Sequence, residues 1–129
     1  MINKNKLNND DRPLSPHLQI YQPSFIMIMS IMHRVTGAVL YFGSLLLLIW
    51  YVSIVFGPDT YNFVGKLFSF FIIKFALFLF TWAFFHHLFG GIRHFIWDTG
   101  NGFSLTAVEL LARLTVILSL LSTLVVWFI

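Results

Sequence analysis

Cysteine is absent from the 129 residues. That excludes disulfides, thiolate metal sites and cysteine-held iron–sulfur clusters within this chain. Charge is scarce too: Asp, Glu, Lys and Arg make up 10%, against about 25% in an ordinary soluble domain. With 58% hydrophobic residues and a mean hydropathy of +0.84, the chain lacks the polar groups to cover a water-exposed globule. It carries no nucleotide-binding glycine motif, no internal repeat of about 20–50 residues and no low-complexity tract beyond an Asn/Lys-rich start. What it has in quantity is aromatic: 19% of the residues, with Phe alone contributing 16.

Residues 1–23 are polar, with Lys4, Lys6 and Arg12 and prolines at 13, 16 and 23. They read as an extended arm, because each proline biases its predecessor away from helix. An apolar core does not begin early enough for a cleaved signal, and no Arg/Ser-rich presequence is evident, so the arm is expected to stay on the mature protein. From Ser24 the character changes to an all-α membrane domain over 24–129, with spans at about 25–56, 67–92 and 105–129. Val35 to Phe56 carries no charge, and such a run rises ~33 Å as a helix, enough to cross the hydrocarbon layer. Gly57-Pro58-Asp59 ends it. Lys4, Lys6, Arg12, Arg34, Arg93 and Arg113 fall on the N-terminal side, with Lys66 and Lys74 opposite. The basic bias sets the N-terminus and the 93–104 loop in the cytoplasm, or in the matrix of an organelle.

An ionisable group at the bilayer centre costs about 2.5–3.5 kcal/mol on insertion scales, so each one needs a route out or a role. Lys74 can snorkel along its aliphatic stem. Glu109 and Arg113, acid first at i, i+4, can pair on one helix face. Ser30, His33 and Arg34 share a face of the first helix near its inner boundary. There a hydroxyl and a guanidinium could hold a polar carbonyl; the alternative is an Arg34 anchored to lipid phosphates and a Ser30 bonded to its own backbone. His86 and His87 point about 100° apart and cannot serve one metal from one face. A buried neutral imidazole is the form that ligates haem iron, while the plainer reading is a packing histidine bonded to a backbone carbonyl. His94 lies two turns beyond His87, next to Arg93 and just after the paired glycines Gly90-Gly91, which permit close approach. A flat macrocycle ligated at His87 would extend its acidic edge toward Arg93, His94 and Arg34.

Three segments together resemble the cytochrome b subunit of succinate dehydrogenase, the larger of its two membrane anchors. Arg12-Pro13-Leu14-Ser15-Pro16-His17 with Tyr21 is similar to the arm of the mitochondrial and alphaproteobacterial form. Ser30-Ile31-Met32-His33-Arg34-Val35-Thr36-Gly37 matches the S-x-x-H-R-x-T/S-G element that opens the first span. His87 through Asp98, with Gly91-Ile92-Arg93-His94, matches H-x-x-x-G-I-R-H-x-x-W/M-D at the end of the second. The order and separation agree, so the resemblance covers essentially the whole chain.

The resemblance implies half of a heterodimeric anchor bundle. His87 would be one axial ligand of haem b, the other coming from the smaller anchor subunit. Ser30 and Arg34 would stand at the ubiquinone site, and His33, Arg34 and His94 near the haem propionates. Arg93 and Asp98 would lie at the inner mouth where the iron–sulfur subunit docks, and His86 would pack or bond locally. Succinate would be oxidised in a flavoprotein partner and its electrons carried by the iron–sulfur subunit to ubiquinone, as a step of the tricarboxylic acid cycle and respiratory chain. The surroundings would be membrane lipid of a bacterial inner membrane, or of a mitochondrial one if the chain is organelle-encoded, with no nucleic acid involved. Rival readings are a haem-free quinone-binding anchor, a fumarate reductase anchor and, from another class, a transporter or channel subunit. The last would repeat polar residues along one face of every span, and the third span has only scattered Ser and Thr besides Glu109 and Arg113.

Overall fold

A computed structural model describes residues 20–129; the arm element from Arg12 to His17 lies outside the described residues. Four helices follow in order: α1 (Phe25–Val55), α2 (Pro58–Ser69), α3 (Phe71–Asp98) and α4 (Leu105–Phe128). The described residues contain no strand. α1, α3 and α4 are each long and apolar enough to cross a membrane. Serines start two of them: the Ser24 hydroxyl accepts the Met27 backbone N–H and the Ser104 hydroxyl accepts that of Ala107, satisfying amides that have no carbonyl partner in a first turn.

The short helix α2 stands where the sequence suggested only a break and then the start of a span. Pro58 occupies its first turn, Asp59 sits at its N-terminal end and Lys66 at its C-terminal end, all three placements that favour a helix of its own. Val64 is buried, and the Tyr61 ring lies 6.5 Å from Trp50 of α1, so α2 folds back on the end of the first span. An extended backbone at Phe70 separates it from α3. The second long helix therefore runs from Phe71 to Asp98 rather than over 67–92. Hydropathy marks where a helix leaves lipid, whereas the hydrogen-bonded helix continues through Arg93, His94 and Asp98 until Thr99 caps it.

The three long helices are antiparallel neighbours, with α3 in the middle, packed on α1 along one side and on α4 along the other. Only 6% of the most apolar stretch of α1 is buried within the chain, against 22% for α4. α1 thus keeps the most surface for lipid or another chain. Its large side chains, Phe42, Leu46 and Ile49 among them, are exposed, as suits a hydrocarbon surrounding and not water.

Candidate functional site

The contact between α1 and α3 is built from rings laid on glycines. The His33 ring of α1 lies over Gly90 of α3, where a Cβ would overlap it. Reciprocally, the His87 ring of α3 lies over Gly37 of α1, where a Cβ would come within 3.0 Å of Cε1. Further along, Phe80 covers Gly43 in the same way. Removing the side chain on one helix lets the ring on the other reach the backbone, so the two histidines stack, with ring centroids 4.1 Å apart and planes within 10°. Gly91, by contrast, faces open space.

This packing selects the tautomer of a neutral His87 ring. Its Nδ1 lies 3.1 Å from the His33 carbonyl oxygen and 3.4 Å from the Thr36 hydroxyl. A carbonyl can only accept, so Nδ1 carries a proton, and in the neutral ring the lone pair is then on Nε2. No hydrogen bond reaches Nε2 among the described residues, and it is not one of the sealed, unpartnered nitrogens. An imidazole with Nδ1–H tied to a backbone carbonyl and Nε2 open is the arrangement that metal-ligating histidines adopt. The residues present fit an axial haem ligand. Among the described residues no group of three or more His, Asp or Glu is arranged to hold a metal ion by itself.

Around it the structure gathers part of the expected set. His94 is exposed, its ring 4.9 Å from His33 and 5.2 Å from Trp97. His33, His87 and His94 thus form one cluster. Ser30 and Arg34 are exposed one turn apart on α1, beside His33. Thr36, Ser44 and Ser53 on the same helix each donate to a backbone carbonyl of the preceding turn; Ser30 makes no such bond among the described residues, which leaves its hydroxyl available. The one ion pair among the described residues joins Glu109 to Arg113 at 2.5 Å, as their spacing suggested, and so does not engage Arg34. Asp98, the last residue of α3, is exposed.

Arg93 is placed differently from expectation, while His86 packs locally. Arg93 is not displayed at the mouth: it is 4% exposed, its guanidinium 5.1 Å from the Trp97 ring centre, because one residue's rotation from His94 turns it into the groove between α3 and α4. There it lines a cavity of about 90 Å³ with Phe89, Ile96, Leu111 and Thr115. His86 is 1% exposed and packs on Trp82 at 5.2 Å; neither ring nitrogen has a partner among the described residues, so it packs without bonding. Opposite them α4 presents Ala112, Thr115, Ser119 and Thr123, all buried, a row of small residues at helical spacing that the sequence reading passed over as scattered hydroxyls. A cavity of about 470 Å³ lined by Trp50, Ile54, Gly57, Pro58 and Tyr61 lies at the other end of α1, away from the histidines.

The family model for the succinate dehydrogenase/fumarate reductase transmembrane subunit matches residues 8–126. The succinate dehydrogenase cytochrome b556 subunit of Rickettsia bellii is 42% identical over 116 residues, 90% of each chain. That of Paracoccus denitrificans is 36% identical over 130 residues, 95% of this chain and 97% of the relative. The mitochondrial cytochrome b560 subunit of Mus musculus is 33% identical over 132 residues, 92% of this chain and 71% of the relative. Matches across almost its full length, on a chain with three membrane-spanning helices, place it in one family: it belongs to the succinate dehydrogenase/fumarate reductase transmembrane subunits, as a cytochrome b membrane anchor of an oxidoreductase complex.

Proposed function

We propose that this chain supplies one axial ligand, His87, to a haem b shared with a smaller anchor subunit, and that Ser30 and Arg34 form part of the site where ubiquinone is reduced. Haem, when bound, supplies a one-electron redox centre within the membrane. The observation that carries the reading is the contact of His87 Nδ1 with the His33 carbonyl at 3.1 Å, which in a neutral ring leaves the lone pair on Nε2. The relatives named cytochrome b556 and b560 subunits support it.

The rest follows from the chemistry of the side chains. Ser30 can donate its hydroxyl proton to a quinone carbonyl. Arg34 holds its charge at any ordinary pH and cannot serve as a proton donor; it stabilises negative charge building on a quinone oxygen as electrons arrive. Protons for the reduced quinone come from water or a partner chain, which suits a site at the membrane edge. His33 and His94, with Arg34, supply the cationic and hydrogen-bonding groups that propionates need. Asp98 is an exposed group at the end of α3 for contact with the iron–sulfur subunit, which carries electrons from succinate oxidised in a flavoprotein; Arg93 contributes from within, packed over Trp97 of its own helix and against α4. We place the N-terminal end of α1 on the cytoplasmic side of a bacterial inner membrane, from the basic bias.

A pyridine haemochrome assay on the purified complex tests the proposal. We expect b-type haem in the native complex and its loss in His87→Ala, with succinate oxidation by a soluble dye retained. A native complex without b-type haem would mean a haem-free, quinone-only anchor.

A further inference from the structure

Resting on the ligand reading of His87, we infer that Thr36 and Gly37, one turn beyond His33 on α1, are positioning residues that set the electron-donating strength and the ring angle of that histidine. Thr36 is 2% exposed, and its single hydroxyl proton is shared between the Met32 carbonyl at 2.8 Å and the His33 carbonyl at 3.0 Å. Toward His87 the hydroxyl oxygen can therefore only accept. The Nδ1–H of His87 is then held by two acceptors at once, the His33 carbonyl at 3.1 Å and the Thr36 oxygen at 3.4 Å. Each acceptor on Nδ1–H increases the electron density at Nε2, as outer hydrogen bonds do for ligating histidines. A more basic ligand favours ferric over ferrous iron. Gly37 acts through shape: a methyl there would stand 3.0 Å from Cε1 and 3.9 Å from Nε2 of the same ring, so any side chain would push the imidazole by a few tenths of an ångström from where it stacks on His33.

Three variants in the whole complex test this, read by redox titration and by the electron paramagnetic resonance signal of the ferric haem. Thr36→Val keeps shape and loses the acceptor. It should retain haem and raise the midpoint potential, with about a threefold change in the ferric-to-ferrous ratio at fixed poise, or about 28 mV at 59 mV per tenfold. Thr36→Ser keeps the hydroxyl and should return the native potential. Gly37→Ala should shift the low-spin signal by tilting the ring. A native potential in Thr36→Val, or equal shifts in the Val and Ser variants, would overturn the inference while leaving His87 as ligand. Low-spin haem surviving in His87→Ala would instead overturn the ligand reading and this inference with it.

Discussion

On its α1 side, helix α3 meets glycines with rings; on its α4 side it meets small hydroxyl residues with an arginine and a histidine. Both faces are close contacts of the kind membrane helices use in place of a hydrophobic driving force, yet their histidines are held differently. On both faces the small hydroxyl residues donate to carbonyls of their own helix, Thr115, Ser119 and Thr123 on α4 and Thr36, Ser44 and Ser53 on α1. Toward α4, His86 packs with neither ring nitrogen partnered among the described residues, and one bond crosses, from the Trp127 indole to the Thr81 hydroxyl. Toward α1, His87 is held across the helix pair by the His33 carbonyl and the Thr36 hydroxyl, through one ring nitrogen only.

That contrast can be broken most severely at Gly90. A side chain there overlaps the His33 ring, and overpacking a tight contact costs about 1–3 kcal/mol or more. We expect Gly90→Leu to reduce the complex recovered from membranes by ~tenfold or more, measured by blue native electrophoresis with the haem stain lost in parallel. Next comes Arg34→Ala, which would remove the charge-assisted hydrogen bond proposed to the quinone, of a kind worth about 1.5–3 kcal/mol. Ubiquinone reduction should fall ~tenfold or more while succinate oxidation by a soluble dye stays near native; equal loss of both would point to assembly instead. On the α4 face Ser119→Ala deletes a hydroxyl bonded only to its own helix. Its effect should stay within about 1 kcal/mol, seen as a small shift in the thermal midpoint with an unaltered haem spectrum. Glu109→Gln should do least: an exposed i, i+4 pair is worth about 0.3–0.5 kcal/mol, below what activity measurements resolve.

The sequence made the three spans legible because hydrocarbon selects residues by composition, and composition needs no partner to be read. It also marked His87, Ser30 and Arg34 as candidates, through spacing and family resemblance. It did not reveal α2, since a helix of 12 residues with mixed polarity looks like a connection until Pro58, Asp59 and Lys66 are read together as end signals. Nor did it separate Arg93 from His94. Adjacent residues on a helix face about 100° apart, and which of them turns inward depends on where α4 packs, which no local pattern states. Thr36 and Gly37 lay inside a quoted motif without a role, because their role is a contact with α3, fifty residues away in the chain.

The central claim is that His87 Nε2 is the position from which this chain ligates iron. Replacing the side chain by His87→Gly and supplying free imidazole to the purified complex tests it most directly. The account predicts that the low-spin haem signal disappears in the variant and returns, in proportion to ligand concentration, when imidazole is added. A low-spin signal that persists in the variant without imidazole would contradict it.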